Sequence, residues 1–524
     1  MDLVRRFFGD AFASYCLNIP AGELDATILS LAQSSTVAEL REFAQNLKQN
    51  PDEVIQRISM STILQYHTPS QMSVPNALRQ QCGGEIAARS SVDPVESAIF
   101  QLARDAYPAC LMPAPSSKAA YGHSGVSTSV YQNPTCRDAV RAVLADASLS
   151  RLFPDGIPNS DSSPGIEIGA GITSGAIWSN GSGGSLQLIG LITGILEYAA
   201  RRISTTPSPE EYFSLVADAL KTARTLSEKK PTSTYTLVGL KNVTVTAEKP
   251  ITFQGGQLRH PTPGDLADLM GQEGITSVLE VRSSLQLLSI RPANTSDEIV
   301  SAEYEKLRPT FEKNAAETRR LIDLARLSIL FASDGSPAAP VDVATTTLNP
   351  IASGKSVGLS IQSYMPNIVT PITVSADIES QIQYWSKRVA NHPGNLDMGM
   401  RRLLSAVSAR FDPMDAFVDA VICWENMFGT NQGEVGFRVA ASMAHLLEQE
   451  DPVARKKLFT EIKNLYAVRS KLVHGAKEPN IQDAYSHRDR SIEIAINAFK
   501  GLYDRQDLLA VDSASRGNIL LIGS

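Results

Sequence analysis

The feature that most constrains the fold is a run of amphipathic segments between residues 396 and 510. Apolar residues recur in these segments every three or four positions, which is the spacing of one face of an α-helix. Short connections join the segments, so the pattern predicts a compact antiparallel helical bundle over residues 396–510. The individual segments span residues 401–409, 414–428, 435–448, 452–474 and 484–506.

The rest of the chain divides into three further regions. Residues 1–155 have helical periodicity, with Asp93 placed as the N-cap of one helix. Residues 156–230 contain a Gly/Ser-rich stretch, interpreted as a loop or linker, followed by helices. Residues 231–390 alternate apolar and polar positions, and the Gly255–Gly256 pair among them predicts a hairpin in a mixed α/β domain. We therefore expect a multidomain chain that is mainly α, with an α/β middle region.

The composition excludes some broad classes of protein. Of the 524 residues, 43% are apolar and 20% are charged, as in ordinary globular proteins, so extensive disorder is not expected. The formal net charge of -7 argues against a surface that binds nucleic acid throughout, but it leaves room for a local basic patch.

The cysteines and the apolar windows indicate a cytoplasmic protein without a membrane partner. The 5 cysteines are widely spaced and form no CxxC pair, which fits reduced thiols. The first residues lack the apolar core and the cleavage site of a signal peptide. The most apolar window, residues 186–200, is shorter than the roughly 20 residues that span a bilayer. It also contains Glu197, so we expect a buried helix there.

One arginine departs from the apolar pattern of the segment 452–474. Leu465 and Leu472 belong to its apolar stripe, and Arg469 occupies the stripe position between them. A guanidinium on an apolar face is unfavourable unless it is paired. Glu425 likewise occupies a position within the apolar stripe of an earlier helix, in the segment 414–428. One hypothesis is therefore a buried Arg469–Glu425 pair, and the other is an arginine at the lip of a groove that faces RNA phosphate.

The end of the same segment carries a histidine and a basic surface. His474 stands directly before Gly475, a residue suited to the position after a helix. A histidine there can exchange protons near neutral pH and act as a general acid or base. The lysines of the segment, Lys463 and Lys471 among them, are most simply interpreted as a solvated helix face, although such a face also attracts phosphate.

Three stretches of sequence together resemble a known family. They are 420–425 (AVICWE), 437–447 (FRVAASMAHLL) and 465–475 (LYAVRSKLVHG). An Arg-x4-His motif in the third long helix of a C-terminal bundle, with these neighbours, resembles the HEPN domain (higher eukaryotes and prokaryotes nucleotide-binding). The closest similarity is to the Apea-like HEPN branch. The resemblance covers roughly the last quarter of the chain, and a looser similarity extends back to about Tyr235.

The resemblance implies a metal-independent endoribonuclease without a cofactor, which forms a homodimer and places two Arg-x4-His motifs across a cleft. RNA carries its own nucleophile, the 2′-OH, so the enzyme needs a proton-transfer group and a cation for the phosphorane charge. The resemblance gives these roles to His474 and Arg469, and Ser470, Lys471 and Lys463 would orient the groups or bind RNA. The sequence shows no His/Cys/Asp cluster at ligand spacing, so no metal site is expected.

Two hypotheses from different classes follow. The first is an endoribonuclease that acts as a toxin or antiphage defence effector, with an N-terminal region that senses a phage trigger or a regulatory partner. The second is a non-catalytic HEPN-like module that dimerises or binds RNA or a nucleotide. The defence role comes from the resemblance alone.

Overall fold

Helices make up most of the fold, and the strands lie between residues 173 and 374. The computed structural model describes residues 1–20, 22–69, 71–113, 125–131, 133–155, 171–203, 207–247, 249–262, 265, 269, 274–333, 340–352, 356–361, 372–430, 434–474 and 479–523. In these residues the α-helices are α1 (Asp2–Leu17), α2 (Leu31–Lys48), α3 (Glu53–Met60), α4 (Val74–Gln81), α5 (Pro94–Ala106), α6 (Gly125–Tyr131), α7 (Cys136–Ala145), α8 (Leu188–Ala200), α9 (Pro209–Ser227), α10 (Asp297–Ala332), α11 (Ala376–Val389), α12 (Asp397–Ser408), α13 (Pro413–Phe428), α14 (Val435–Leu447), α15 (Pro452–Val473), α16 (Ile481–Asp504), α17 (Gln506–Leu509) and α18 (Ser513–Ile522). The strands are β1 (Thr173–Trp178), β2 (Gly183–Gln187), β3 (Thr232–Lys241), β4 (Val243–Val245), β5 (Ile251–Phe253), β6 (Gly256–Arg259), β7 (Ser277–Leu285), β8 (Leu287–Pro292), β9 (Val341–Leu348), β10 (Ser356–Ile361) and β11 (Ile372–Val374). This content confirms a mainly α chain with an α/β region.

A six-stranded antiparallel sheet in the order β10-β9-β3-β7-β6-β5 lies at the centre of the fold. Leu237 and Val278 of its central strands belong to an apolar core shared with α5, α7, α8 and α9. Val238 and Leu279 belong to a second core shared with α10 and the C-terminal helices. Because successive strand residues point to opposite faces, helices from the two ends of the chain cover the two faces of one sheet.

The N-terminal part of the chain is helical, as predicted. Helices α1 to α4 enclose an apolar core of their own, which includes Phe8 and Phe12. The side chain of Asp93 caps α5 by accepting hydrogen bonds from the backbone N–H groups of Val95 and Glu96, which confirms its predicted role. Ion pairs from Arg224 to Asp93 and to Asp146 tie this region to α9.

The Gly/Ser-rich stretch forms more than a loop. Strands β1 and β2 form an antiparallel pair, and β1 also pairs with β8 in a three-stranded sheet. The interpretation of residues 159–185 as a loop or linker is therefore wrong for residues 173–178 and 183–185, and residues 159–170 lie outside the described residues. A Cβ atom at Gly175 would lie 3.0 Å from the Arg291 side chain, so this glycine allows close packing of neighbours rather than flexibility.

The most apolar window of the chain is a buried helix, as predicted. In α8 every residue from Leu188 to Ala199 is buried. Across the described parts of the chain, no helix has both the length and the apolar character that are needed to cross a membrane.

The middle region contains the predicted hairpin and one unexpected element of the sheet. Gly255, with φ of +92°, links β5 to β6 and confirms the hairpin at Gly255–Gly256. The strand β9, which pairs with β3 inside the sheet, was not predicted. The long helix α10 begins at Asp297, upstream of Pro309, and is buried only from Ile322 onward.

The predicted C-terminal helices are present as α12 to α16. Helix α13 packs against α12 and α16, and α14 packs against α15. The packed region continues beyond residue 510, because α18 packs against α13 and α14. The fully buried Arg516 of α18 donates hydrogen bonds to the carbonyl oxygens of Leu508 and Met427 and to Asn395 Oδ1, which fixes α18 in place.

Candidate functional site

The candidate site is carried by α15, which spans nearly the predicted range of residues 452–474. Asp451 caps its first turn by accepting two backbone hydrogen bonds, and Pro452 occupies the first helical position. Leu458, Ile462 and Leu465 are buried against the neighbouring helices. These anchors fix the direction of the last two turns, where the predicted site residues lie.

Glu425 of α13 holds both Arg469 and Tyr466 of α15. The Nη2 atom of Arg469 donates to Glu425 Oε2 at 3.3 Å, and the hydroxyl of Tyr466 donates to Glu425 Oε1 at 2.6 Å. Burial and the hydrogen bond to Glu425 raise the pKa of Tyr466 to about 12, so its hydroxyl stays protonated. Each carboxylate oxygen of Glu425 thus accepts from its own donor. The guanidinium of Arg469 lies 6.0 Å from the Tyr466 ring centroid.

The Arg469–Glu425 contact has features of both sequence hypotheses. The predicted pair is present, yet the two side chains remain 23% and 24% exposed, so the pair is not fully buried. The Nε atom of Arg469 is buried and has no hydrogen-bond partner among the described residues. The contact to Glu425 is single and long, which leaves other guanidinium donors available to a ligand.

His474 lies at the end of α15 and is exposed to solvent. Its backbone N–H donates to the carbonyl oxygen of Ser470 at 3.2 Å, and its ring makes no hydrogen bond, ion pair or ring-stacking contact with another described residue. Five residues at 3.6 per turn separate Arg469 and His474 by about 140° around the helix axis. One chain therefore does not bring the two side chains together. Gly475, predicted to follow the helix, lies outside the described residues.

The remaining predicted site residues lie on the same helix without converging. Lys463 and Lys471 are exposed, and about two helical turns separate them. Ser470 is half-buried beside Arg469. The structure brings Glu425 and Arg469 into contact, and among the described residues it shows no side-chain hydrogen bond from Lys463, Lys471 or Ser470 to His474.

Sequence reasoning assigned no role to Tyr466. The sequence feature that could have indicated a role for Tyr466 is its position three residues before Arg469, which places both side chains on one face of the helix. With Glu425 as a shared acceptor, Tyr466 fixes the carboxylate that in turn orients the guanidinium.

A groove of about 1010 Å³ runs beside the site, between α15 and α16. Its floor includes Leu465, and Lys456 and His487 lie along its walls. Arg490 bridges the groove to Glu461 with two hydrogen bonds, at 2.8 and 2.9 Å. The groove therefore combines an apolar floor with a mixed polar rim.

The titratable side chains of the described residues do not gather into a metal-type cluster. No three His, Cys, Asp or Glu side chains in that part of the chain are close enough together to hold a metal ion.

Comparisons with known proteins leave function to be inferred from side-chain chemistry. No protein-family model matches the chain, and no match was found among curated proteins or solved structures.

Proposed function

We propose that the chain is a metal-independent endoribonuclease, that its C-terminal helices form a bundle of the HEPN type, and that His474 and Arg469 are its catalytic residues. One observation carries the proposal. An exposed imidazole ends the same helix that presents a guanidinium with uncommitted donors. Together these groups supply the proton transfer and the positive charge that attack by a ribose 2′-OH requires.

In the proposed reaction His474 takes the proton of the 2′-OH as general base, and a solvent water supplies the proton to the leaving 5′ oxygen. The 2′ oxygen attacks the adjacent phosphorus, the bond to the 5′ oxygen breaks, and the products are a 2′,3′-cyclic phosphate and a free 5′-OH. Arg469 neutralises the charge that develops on the phosphorane oxygens, for which its planar donors are well suited. Lys463, Lys471 and Ser470 would bind or orient the RNA backbone.

The separation of the two catalytic groups supports a homodimer. Arg469 and His474 of one chain point about 140° apart, so a complete site needs residues from a second chain. Apolar side chains are also exposed where α15 ends and α16 begins. Val473 is 58% exposed, Ile481 65% and Tyr485 43%, and a second bundle would cover them.

A second candidate function is a non-catalytic module that dimerises or binds RNA. The ion pair of Arg469 with Glu425 and the hydrogen bond of Tyr466 to the same carboxylate favour it, because they give the arginine a structural role.

The proposed biological role is that of a toxin or an antiphage effector in the cytoplasm, whose N-terminal region responds to a phage component or a regulatory partner. The shared central sheet supports such coupling, because N-terminal helices and C-terminal helices pack against its opposite faces.

The first test compares RNA cleavage ends after expression of the wild type, His474→Ala and a matched control, His260→Ala. His260 is exposed and lies outside the C-terminal helices. We expect the wild type and the control to cut RNA and slow growth, and His474→Ala to lose about 100-fold or more of the cleavage. Equal cutting and toxicity in His474→Ala at equal protein level would remove His474 from the mechanism.

The second test examines the nucleophile. Purified protein is incubated with RNA, 2′-O-methyl RNA and DNA of one sequence, each with and without EDTA. The proposal expects cleavage of RNA alone, unaffected by EDTA. Cutting at a 2′-O-methyl position, or loss of RNA cutting in EDTA, would contradict this mechanism and leave a different nuclease chemistry. No cutting of any strand would favour the binding module.

A further inference from the structure

A second cationic site lies on the N-terminal face of the central sheet. A pocket of about 350 Å³ opens between the end of α8, the helix α9 and the strands β3 and β7. Its volume is at the lower end of the range for small-molecule sites. The side chains of Arg202, Lys221 and Arg282 line it, together with a single carboxylate, that of Asp218.

Within the described residues, the three cations in this pocket have no ion-pair partner. No carboxylate of the described residues lies within salt-bridge distance of Arg202, Lys221 or Arg282. Arginines elsewhere in this acidic protein are often paired, as Arg224 is with Asp93 and with Asp146. Three unpaired cations around one concavity create a positive potential that attracts an anion.

Arg202 is already held in place for a ligand. Its guanidinium lies 4.9 Å from the ring centroid of Tyr235 and 5.7 Å from that of Tyr198, and its Nη2 atom donates to the Tyr235 hydroxyl at 3.4 Å. Tyr198 is 2% exposed, so this support is rigid. Strand register places Arg282 directly opposite Tyr235, on the same face of the sheet. A prepositioned arginine loses less conformational entropy when it binds an anion.

Polar groups around the cations indicate more than a bare inorganic anion. Thr232 and Ser233 are among the residues that line the pocket, and Ser233 lies on the same face of β3 as Tyr235. The hydroxyl of Ser233 makes no hydrogen bond within the described residues, so it can donate to a phosphate oxygen. Asp218 repels a free anion but accepts hydrogen bonds from ligand hydroxyl groups. The combination suits a molecule with a phosphate at one end and hydroxyl groups at the other.

We propose that this pocket binds a small phosphorylated molecule that carries hydroxyl groups, of the size of a sugar phosphate or a mononucleotide. The phosphate contacts Arg202, Lys221 and Arg282, and Asp218 accepts from a ligand hydroxyl. The small concave volume favours such a ligand over the backbone of an RNA strand. This site is separate in sequence from the proposed catalytic residues, and its assignment does not depend on them.

The test is calorimetric titration of the full chain with ribose 5-phosphate, adenosine 5′-monophosphate and inorganic phosphate. The variants are Arg202→Gln and Lys221→Gln, and the matched control is Arg137→Gln, an exposed cation outside the pocket. Each lost charge-assisted contact should weaken binding of the sugar phosphate or the nucleotide by about tenfold or more. The control should stay within about twofold of the wild type, and inorganic phosphate should bind more weakly than either organic ligand.

Several outcomes would overturn the proposal. They are equal affinity in the pocket variants and the control, absence of binding by both organic ligands at millimolar concentration, and tighter binding of inorganic phosphate. Binding of an RNA oligonucleotide that is lost in Arg202→Gln, with no effect on the small ligands, would assign the pocket to RNA instead. Because Lys221 is exposed, its variant gives a result even if Arg202→Gln lowers stability.

Discussion

At the scale of single residues, the contact with Glu425 determines how firmly the guanidinium of Arg469 is bound within the fold. The carboxylate accepts from Tyr466 at 2.6 Å and from Arg469 at 3.3 Å, so the tyrosine has the shorter contact. A single long contact in an ion pair whose side chains are 23% and 24% exposed contributes modestly to stability, about 1 kcal/mol. In the proposed mechanism, phosphate therefore replaces Glu425 as the partner of the guanidinium without unfolding the helix end. This exchange distinguishes an arginine that binds substrate from one that only supports the fold.

Arg469→Lys separates these two roles. Lysine keeps the charge but loses the planar pair of donors, so we expect cleavage to fall by about 100-fold or more with little change in the free energy of unfolding. Urea unfolding and an RNA cleavage assay on the same preparations check this. Glu425→Gln serves as the comparison, since it removes the ion pair and keeps an acceptor for Tyr466. A large stability loss in both variants, with cleavage unchanged, would show that the pair is structural.

A second prediction concerns His392, which is buried between α10 and α16. Its Nδ1 atom is 2.5 Å from the Tyr503 hydroxyl, and its Nε2 atom is 3.5 Å from Asp397 Oδ1. Burial lowers the pKa of His392 to about 4, Arg320 adds to this effect, and Asp397 opposes it. In the unfolded chain His392 becomes protonated as the pH falls below about 6.5. In the folded chain it becomes protonated only at about pH 4. Stability is therefore lost as the pH falls through this window.

The measurement is the free energy of unfolding of the wild type and of His392→Gln between pH 7 and pH 4. The wild type should lose up to about 3 kcal/mol more than the variant over this range. His260→Gln, at an exposed histidine, should follow the wild-type profile. Parallel profiles for the wild type and His392→Gln would mean that folding leaves the pKa of His392 unchanged.

At the scale of elements, α8 packs closely against the segment that follows β9. A Cβ atom on Gly194 would lie 2.8 Å from the carbonyl oxygen of Pro350 and 2.9 Å from that of Ala352. Alanine in a helix interior gains about 1 kcal/mol over glycine. Here, however, the clash is with backbone oxygens on a buried helix, which move only with the chain. The glycine therefore permits the contact between α8 and this segment.

Gly194→Ala should lower the free energy of unfolding despite its better helix propensity, by about 1–3 kcal/mol. Gly501→Ala in α16 is the control, because its new Cβ would meet only the Leu446 side chain, at 3.2 Å or more. Thermal and urea unfolding of both variants check the prediction. A stabilised Gly194→Ala would show that α8 and its neighbour separate easily.

Amphipathic helices were predictable from the sequence, and strands covered on both faces were not. The ranges of α13 to α15 agree closely with their apolar patterns, because each buries an apolar stripe against neighbouring helices. In β9, all but one of the residues from Val341 to Leu348 are buried, so its threonines gave no alternating pattern. The hairpin of β1 and β2 was missed because its glycines suggest a loop, although Gly175 packs against the Arg291 side chain.

The candidate site was only partly predictable for a related reason. The register of Glu425 with Arg469 follows from helical periodicity, and the structure shows the contact. The role of Tyr466 depends on where α13 and α15 meet, which periodicity does not specify. The direction of His474 depends on the exact end of α15, at Val473.

At the scale of the whole molecule, the central sheet joins regions that the sequence divides. Strand β8 of the middle region pairs with β1 of the Gly/Ser-rich region, and the two apolar cores meet the two faces of β3 and β7. A ligand that alters packing on the N-terminal face therefore acts on an element that the C-terminal helices also contact. Such coupling gives the N-terminal region a physical route to the proposed nuclease site.

The last prediction tests whether two chains build one active site. Arg469 and His474 of one chain point about 140° apart, so a site formed across a dimer combines Arg469 of one chain with His474 of the other. Arg469→Ala and His474→Ala should each be inactive alone. Coexpressed with different tags and purified together, they form mixed dimers in which one of two sites is intact, and about half of the wild-type cleavage should return. RNA cleavage by the doubly purified mixed species, with each single variant as control, measures this. No recovery in a verified mixed dimer would mean that both catalytic groups of a site come from one chain, which requires the end of α15 to change direction when RNA binds.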